Sequence, residues 1–364
     1  MFSAQSIFKI FFLGSVMPKI AVVPGDGIGK EVIREGLRVL KFLDPTLEFE
    51  HFDLGADRYL RDGTTLPDDV FARWRDEFDC IYLGALGDPR VPSNVHARDI
   101  LLGARFRYDL YINLRPVRLL DARRCPIKGK SCEDVNFVVF RENTEGLYTG
   151  IGGQFKRGEA EEVAIEQEIN TRKGVERIIR AAFSYADTHK LSSVCMADKS
   201  NAMRHGHDLW KRVFALVAKE YPHIETKHRY VDVLAMELVS KPESFDVIVT
   251  NNLFGDIVTD LGAVLQGGIG LAGSANINPG QLSLFEPVHG SAPDIAGQEK
   301  ANPLAAILSA GMMLNYLGRA DLESRINSAV QEVLRADLVT PELGGTLRTS
   351  EVTDAVLRVL EGAK

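Results

Sequence analysis

Two aspartates in the C-terminal half of the chain have a spacing that suits a divalent cation. Asp256 and Asp260 lie four residues apart at the start of a helical pattern, so they share one helix face. Two such charges repel each other unless a cation lies between them, and oxygen-only ligands favour Mg²⁺ or Mn²⁺. Asp232, which follows a strand-like run, is a candidate third ligand. Spacing alone also fits an ordinary acidic first helical turn, stabilised by the helix dipole.

Three arginines lie where they could hold an anion. Arg105 and Arg115 flank the segment 109–114, and Arg141 ends the strand-like run 137–140. An arginine at the end of a buried strand usually meets a carboxylate or a phosphate, because it keeps its charge. Each arginine alone fits a structural ion pair, but the three together indicate an anion pocket.

Lys199 and Tyr148 are candidates for proton transfer. Lys199 follows the apolar run 193–196, and Tyr148 lies seven residues after Arg141. A partly buried lysine near other cations has a lowered pKa and can act as a base. The alternative is that each is a polar residue at a strand end with a purely structural hydrogen bond.

Three glycine-rich segments could bring backbone close to a ligand. Segment 25–29 (GDGIG) follows a strand and opens a helix, where an anion would bind, but it lacks the GxGxxG spacing. A formal GxGxxG at 268–273 follows a helical pattern and leads into a predicted loop at 274–279, so we interpret it as a chance match. In segment 289–297 (HGSAPDIAG) small residues would admit a flat ring, and Asp294 could accept hydrogen bonds from ribose hydroxyls.

The elements that must position these residues are strands and helices in alternation. This order predicts an α/β fold with parallel strand pairing. The predicted strands are 20–23, 80–83, 137–140, 193–196 and 247–250, and the predicted helices include 30–42, 175–186, 207–219, 257–265 and 303–316. The stretch 305–317 is apolar nearly all round, which predicts a buried helix with Met312 and Met313 as core residues. Segment 146–168 is less regular, as in an arm or a lid.

Composition narrows the classes of protein further. The chain has 364 residues, of which 45% are hydrophobic and 26% charged, and this suits two globular domains. A net charge of −7 disfavours a nucleic-acid binder. Four cysteines without a CxxC pair fit a cytoplasmic protein with reduced thiols. The apolar run within 1–16 is too short to span a membrane, and we interpret it as an extension from an upstream start codon, with a secretion signal as the alternative.

Six segments together resemble the β-decarboxylating 2R-hydroxyacid dehydrogenases, the isocitrate/isopropylmalate dehydrogenase family. They are GDGIG at 25–29, RFRYDLYINLRP at 105–116, RENTEGLY at 141–148, DKSNAM at 198–203, VTNNLFGDIVTDLGA at 249–263 and EPVHGSAPDIAG at 286–297. The last two are highly specific, and the resemblance covers all of the chain except its first residues. It favours a functional role for the aspartates, arginines, lysine and tyrosine over the structural alternatives.

The resemblance implies an isopropylmalate dehydrogenase-like fold, not a Rossmann fold, in which two α/β domains share a continuous sheet. The first, cofactor-binding domain would comprise 17–109 and 267–364, and the second, dimerisation domain would be inserted as 110–266. An arm at about 146–168 would clasp the partner of a homodimer, and dimers could pair into tetramers. Lys199 and Asp232 would enter the partner's active site, so the two sites would be shared.

The resemblance also implies the chemistry of a small hydroxy-dicarboxylate substrate, with no nucleic-acid or membrane partner. The residues that would hold the substrate carboxylates are Arg105, Arg115 and Arg141. The residues that would hold Mg²⁺ or Mn²⁺ are Asp256, Asp260 and the partner subunit's Asp232. Lys199 would help to remove the hydroxyl proton as hydride passes to NAD⁺. Tyr148 would protonate the enol carbon after decarboxylation.

The cofactor implied is NAD. Asp294 followed by Ile295 matches the NAD-using members, whereas NADP-using members have Lys-Tyr at these positions. A carboxylate here would accept bonds from both ribose hydroxyls and repel a 2′-phosphate. The residues expected to frame the cofactor are His289, Gly290, Ser291, Ala292, Asp294, Ile295 and Asn302.

The helix before Arg105 sets the substrate side-chain pocket in this family. Leu101 and Leu102 match the isopropylmalate pattern, since burial of an isopropyl group in an apolar slot is worth roughly 1–3 kcal/mol. Isocitrate members carry serine and asparagine where this chain has Asp99 and Leu101, and homoisocitrate members often carry arginine in place of Leu102. One residue departs from the isopropylmalate pattern: Arg98 stands where isopropylmalate members carry an acidic residue. The resemblance therefore ranks NAD-dependent oxidative decarboxylation of 3-isopropylmalate, a step of leucine biosynthesis, first.

Tartrate/D-malate members are the second choice. They also have a leucine pair, and they share NTRKGVERI at 170–178, KSN at 199–201 and SANINP at 274–279. Leu147 stands where they usually have glutamate. A non-catalytic regulatory subunit is a further alternative, although such subunits have lost metal or base residues that this chain retains.

Overall fold

The computed structural model describes residues 17–362, so the predicted extension 1–16 lies outside the described residues. Twelve strands are described: β1 (Lys19–Val23), β2 (Glu48–His51), β3 (Cys80–Leu83), β4 (Ile112–Arg118), β5 (Asn136–Glu142), β6 (Gly152–Phe155), β7 (Val163–Glu166), β8 (Ser193–Asp198), β9 (Glu225–Tyr230), β10 (Val247–Thr250), β11 (Gly273–Ile277) and β12 (Ser283–Pro287).

The α-helices alternate with these strands. They are α1 (Gly29–Leu43), α2 (Ala56–Asp62), α3 (Asp68–Glu77), α4 (Val95–Ala97), α5 (Gly103–Arg107), α6 (Arg172–Thr188), α7 (Gly206–Ala218), α8 (Val231–Ser240), α9 (Asn252–Leu265), α10 (Leu304–Tyr316), α11 (Ala320–Arg335) and α12 (Thr349–Gly362). A π-helical turn, Arg98–Leu102, joins α4 to α5.

Ten of these strands form one continuous sheet, as the sequence resemblance implies. Their order is β2-β1-β3-β12-β11-β4-β5-β10-β8-β9. The prediction of parallel pairing is wrong at the centre of the sheet, where β12, β11, β4 and β5 pair antiparallel. The residues between β4 and β5 form no crossover helix, and a parallel pair would need one.

The predicted strands and helices are present, and most of them have ends that differ from the predicted bounds. β3 and β10 have the predicted bounds, and α1 extends the predicted helix by one residue at each end. The largest shift is in α9, which begins at Asn252, five residues before the predicted start. The Asn251 side chain accepts a hydrogen bond from the Phe254 amide at 2.9 Å and so caps the helix. Asp256 therefore lies beyond the first turn, and the alternative of a dipole-stabilised acidic first turn loses its basis.

Segment 274–279 is not the predicted loop, because Gly273–Ile277 forms the buried strand β11. Because several of its residues are polar, this segment lacks the apolar run that is typical of a buried strand. Inside the sheet the polar side chains pair with one another: Asn113 of β4 donates to Ser274 Oγ at 2.9 Å and to Asn276 Oδ1 at 3.1 Å. The absence of a strand–turn–helix unit after the glycines agrees with the prediction that this GxGxxG is a chance match.

Helices cover both faces of the sheet and bury its apolar side chains. Helix α10 is buried almost all round, as its composition predicts; Met313 is fully buried, and Met312 is partly buried against the core. The four cysteines are unpaired. Within residues 17–362, none of the helices is both long and apolar enough to cross a bilayer.

The predicted arm contains a separate two-stranded antiparallel sheet. Strands β6 and β7 pair with each other and not with the ten-stranded sheet. Their apolar side chains Phe155, Val163 and Ile165 are exposed. A hairpin of this kind has no core of its own, so it suits a segment that is covered by another surface. That it clasps a partner subunit stays a prediction, as do the domain boundaries at 109/110 and 266/267.

Candidate active site

The three predicted arginines are buried. Arg115 on β4 and Arg141 on β5 belong to adjacent strands, and Arg105 lies on α5. Arg105 donates to the Glu286 carboxylate at 3.1 Å, and Arg115 donates to Thr259 Oγ1 at 2.6 Å. The structure therefore brings the predicted anion-binding residues into one region.

Asp256 lies among the cations of this region. Its Oδ1 lies 2.5 Å from Arg141 Nη1 and 3.2 Å from Arg115 Nη1, and its Oδ2 accepts the Tyr148 hydroxyl at 2.5 Å. Burial disfavours the charged carboxylate, but Arg141 and Arg115 outweigh it, so the pKa of Asp256 is lowered. Asp256 is therefore a carboxylate at neutral pH.

Asp260, one turn further along α9, has the opposite environment. Its pKa is raised, first by burial and then by the charge of Asp256. The two carboxylates thus repel each other, which is the condition that a divalent cation relieves. Asp256 and Asp260 supply the hard oxygen ligands that Mg²⁺ and Mn²⁺ prefer, so these residues fit such an ion.

Two arginines of the cluster have lowered pKa values. Burial, together with the charges of Arg115 and Arg105, lowers the pKa of Arg141 to about 9. Burial also lowers the pKa of Arg115. An anion bound beside these guanidinium groups would favour their charged forms.

Tyr148 lies beside this cluster at the start of the hairpin segment. Its pKa is raised by burial and by the hydrogen bond that its hydroxyl donates to Asp256. The Arg141 guanidinium lies 5.1 Å from the centre of the Tyr148 ring. The hydroxyl is therefore protonated at neutral pH, as a proton donor must be.

Lys199 and Asp232 lie apart from these residues within the chain and pair with each other. The distance from Lys199 Nζ to Asp232 Oδ1 is 2.7 Å, and the Asp232 side chain is 59% exposed. Hydrogen bonding to Lys199 lowers the pKa of Asp232. Within the part of the chain that is described, no three His, Cys, Asp or Glu side chains form a metal cluster.

The predicted cofactor segment follows β12 and contacts the start of α1. The Ile28 amide donates to the Ser291 carbonyl at 2.8 Å. Gly27 has φ +51°, and a Cβ there would lie 2.0 Å from the Ser291 oxygen, so this contact requires glycine. The GDGIG turn therefore supports the 289–297 loop.

Two buried nitrogen atoms in this region have no hydrogen-bond partner within the described residues: His289 Nε2 and Asn302 Nδ2. Burial lowers the pKa of His289, so its ring is neutral at neutral pH. Asp294 is exposed, and Ile295 packs partly against the core. Buried unsatisfied polar atoms are costly without a ligand, so these residues fit a bound dinucleotide. Gly290 and Ala292 complete the predicted loop.

The predicted specificity residues lie on the π-helical turn just before α5. Leu101 and Leu102 are partly buried, and Leu101 packs against the core beside β3. Arg98 at the start of the turn is exposed. Because α5 carries Arg105, the turn places the leucine pair next to an arginine of the cluster.

Several residues of the site do not stand out in the sequence. Thr259 and Glu286 bind the arginines, and Asn252 Oδ1 accepts Arg141 Nε at 3.0 Å. Asn252 lies four residues before Asp256 on α9, and this helical spacing could have identified it. Glu286 comes from a distant strand, and only the sheet order brings it to Arg105.

His96 and Asp26 form a buried pair that the sequence analysis missed. The His96 ring, fully buried, lies 2.8 Å from Asp26 Oδ2. Asp26 also accepts the amides of Ala56 and Gly87, at 2.7 and 2.8 Å. The pair thus ties the GDGIG turn to the segment before the leucine pair.

We expect the His96→Ala variant to lower the free energy of unfolding by about 2–3 kcal/mol, because it leaves a cavity and a buried carboxylate without one partner. Urea denaturation measures this loss. The control is His51→Ala, an exposed histidine at the end of β2, which should change stability by less than about 0.5 kcal/mol. Equal effects of the two substitutions would show that the pair contributes no stability.

Comparison with known proteins agrees with this geometry. The family model for isocitrate/isopropylmalate dehydrogenase matches residues 19–356. The chain belongs to the isocitrate/isopropylmalate dehydrogenase family. It is 47% identical to a 3-isopropylmalate dehydrogenase of Thermobifida fusca over 93% of this chain and 96% of the relative. It is 48% identical to a 3-isopropylmalate dehydrogenase of Streptomyces coelicolor over 90% of this chain and 96% of the relative.

Solved structures of the family have the same fold. An isocitrate dehydrogenase from Methylococcus capsulatus superposes with a TM-score of 0.87 at 37% identity, covering 94% of this chain and 99% of that chain. A β-decarboxylating dehydrogenase from Thermococcus kodakarensis gives a TM-score of 0.78 at 35% identity, covering 95% and 97%. The expected isopropylmalate dehydrogenase-like fold is confirmed, and the enzyme class with it.

Proposed function

We propose that the chain is an NAD-dependent 3-isopropylmalate dehydrogenase, which converts its substrate by oxidation and decarboxylation to 4-methyl-2-oxopentanoate in leucine biosynthesis. The main support is the likeness, at 47% identity over nearly the whole chain, to 3-isopropylmalate dehydrogenases. Leu101 and Leu102 agree with it, because they offer an apolar surface beside Arg105 for an isopropyl group.

The arginine cluster binds and orients the two substrate carboxylates. Arg105, Arg115 and Arg141 converge from α5, β4 and β5, and burial keeps water from competing for them. Their contacts with Glu286, Thr259 and Asn252 fix the guanidinium groups before substrate arrives. A preorganised cluster costs less on binding than flexible side chains would.

Asp256 and Asp260 would hold Mg²⁺ or Mn²⁺ together with the partner subunit's Asp232. A bound cation would act as a Lewis acid that stabilises negative charge on the substrate oxygens during decarboxylation. Substrate carboxylates that take over Arg141 and Arg115 would free the Asp256 oxygen for this role.

Proton transfers fall to Lys199 and Tyr148. Lys199 of the partner subunit helps to remove the proton of the substrate hydroxyl. NAD⁺, held by the 289–297 loop, would supply the hydride acceptor. Tyr148, whose raised pKa keeps its hydroxyl protonated, donates a proton to the carbon left after loss of carbon dioxide. The pairing of Tyr148 with Asp256 holds its hydroxyl at the cluster.

A shared site requires a dimer, and the exposed apolar side chains support one. On α8 and α9 these are Met236, Val239, Ile257 and Val264. Helix α8 carries Asp232 and α9 carries Asp256, so an interface that covers these faces would join the two halves of a site. We propose the same division as the sequence implies, with 110–266 as the dimerisation domain.

We expect the Asp294→Ser variant to lose preference for NAD⁺, because a neutral residue no longer repels a 2′-phosphate and binds the ribose hydroxyls less well. The ratio of kcat/KM for NAD⁺ over NADP⁺ should fall about 10–100-fold. Steady-state kinetics with both cofactors measure this ratio. The control Asp321→Ser, at an exposed position on α11, should leave it unchanged, and an unchanged ratio in Asp294→Ser would contradict the role of Asp294.

The proposed function is tested by identifying the products. Purified protein is incubated with 3-isopropylmalate, NAD⁺ and Mn²⁺, and 4-methyl-2-oxopentanoate, carbon dioxide and NADH are quantified. We expect the three to form in equal amounts. NADH without carbon dioxide, or no NADH at all, would reject the proposed reaction.

A further inference from the structure

A second cavity lies behind the sheet, on the face opposite the arginine cluster. Its volume is about 460 Å³. Leu114 and Pro116 of β4 line it, and they alternate with Arg115, whose side chain contacts Thr259 on the other face. Small-molecule sites in proteins typically enclose about 300–1,000 Å³. The cavity is thus of suitable size for a ligand and does not belong to the site described above.

Most of the cavity wall is apolar. Residues of the sheet form its floor, and α10 and α11 form one side. The apolar side chains that matter here are Leu114, Phe285, Leu308 and Met312. An aliphatic group of a few carbon atoms would bury its surface against these residues, which favours binding.

Two acidic side chains, Asp246 and Glu323, line the cavity. Asp246 accepts hydrogen bonds from the Ser192 and Ser193 hydroxyls, whereas Glu323 of α11 lies beside the apolar wall. It accepts a hydrogen bond from Asn315 Nδ2 at 2.6 Å. Among residues 17–362, Glu323 forms no ion pair with a lysine, arginine or histidine; Arg118, which lines the same cavity, acts on its carboxylate only from a greater distance. Burial raises the pKa of Glu323 to about 7. A carboxylate here is thus poorly compensated, and a cation with several N–H donors would stabilise it.

We propose that this cavity binds a small aliphatic ammonium ion, with its charged head on Glu323 and its tail against Leu308 and Met312. The carboxylate supplies the charge, and Asn315 holds it in position. A primary ammonium has three donors, so it can bind the Glu323 carboxylate and still contact polar neighbours such as Asn327. An anion of the same shape would be excluded by Glu323.

The test uses 3-methylbutylammonium as the probe and isothermal titration calorimetry on the full-length protein. We expect saturable binding of one probe per chain. The neutral analogue 3-methylbutanol and the short ethylammonium ion should each bind at least about tenfold more weakly, since one lacks the charge and the other most of the tail. No saturable binding, or equal binding of the alcohol, would overturn the proposal.

Two variants locate the probe. Glu323→Gln keeps the shape and the bond from Asn315, and should weaken binding at least about tenfold. The matched control Glu332→Gln, an exposed glutamate on the same helix, should change it by less than about twofold. Met312→Phe fills the cavity and leaves Glu323 intact, so it should also weaken binding of the probe. It replaces Glu323→Gln as the test if that variant does not fold. Unchanged affinity in Glu323→Gln or in Met312→Phe would overturn the assignment.

Discussion

The Lys199→Ala variant is expected to lose about 10²–10⁴-fold in kcat for 3-isopropylmalate, the usual size of a general-base contribution. In the proposed dimer the partner subunit's Lys199 acts on the substrate hydroxyl, whereas the arginines hold the carboxylates, so KM should change far less than kcat. In the single chain Lys199 pairs with Asp232 at 2.7 Å, and both side chains are accessible to a partner. Steady-state kinetics with saturating NAD⁺ and Mn²⁺ measure the loss.

Two further variants separate the proton-transfer role of Lys199 from its ion pair. Lys199→Arg keeps the charge beside Asp232, but arginine does not give up its proton, so this variant should be nearly as inactive as Lys199→Ala. Lys211→Ala, an exposed lysine on α7, should retain full activity. Wild-type activity in Lys199→Ala would favour the alternative that the chain is a non-catalytic regulatory subunit. Wild-type activity in Lys199→Arg would show that Lys199 contributes only its positive charge and no proton transfer.

The Asp256→Asn variant is expected to lose about 10³-fold or more in kcat/KM, because this one carboxylate serves several partners. It would hold the divalent cation, and it binds Arg141 and the Tyr148 hydroxyl, both at 2.5 Å. An amide keeps the shape but lacks the charge. Binding of Mn²⁺, followed directly by its paramagnetic resonance signal, should weaken in parallel. Asp321→Asn on the exposed face of α11 is the matched control.

Mixing the two inactive variants tests whether a site is shared between subunits. After unfolding and refolding together in equal amounts, Lys199→Ala and Asp256→Asn chains should regain about a quarter of wild-type activity, because half of the dimers are mixed and each has one intact site. Each variant refolded alone should stay inactive. If native mass spectrometry shows that mixed dimers have formed but no activity is recovered, the result would contradict an active site built from two subunits.

The sequence predicts much of the site because its chemistry depends on local motifs. The arginines, Asp256, Asp260 and Tyr148 lie in contiguous segments that resemble those of the family, and the structure brings them together. The antiparallel centre of the sheet was not predicted, because β11 consists, apart from Ile277, of small and polar residues that are typical of a loop. Their partners, such as Asn113, come from a distant part of the chain.

Residues that act through long-range pairing were also missed. Glu286 meets Arg105 across 181 positions of sequence, and His96 meets Asp26 across 70. Local patterns carry no information on such contacts, because they are set by strand order and by the packing of the segment before α5. The start of α9 was missed for a different reason: Asn252 and Gly255 interrupt the apolar pattern, although Asn251 caps the helix.

The most direct test of the proposed function is a comparison of kcat/KM for 3-isopropylmalate, D-malate, tartrate and isocitrate, with NAD⁺ and Mn²⁺ in excess. An isopropyl group buried against Leu101 and Leu102 is worth roughly 1–3 kcal/mol, so 3-isopropylmalate should exceed D-malate by about 10–200-fold. Replacing both leucines with alanine should remove most of that advantage. A higher kcat/KM for D-malate or tartrate in the wild-type enzyme would contradict the assignment and show that the leucine pair only closes a smaller pocket.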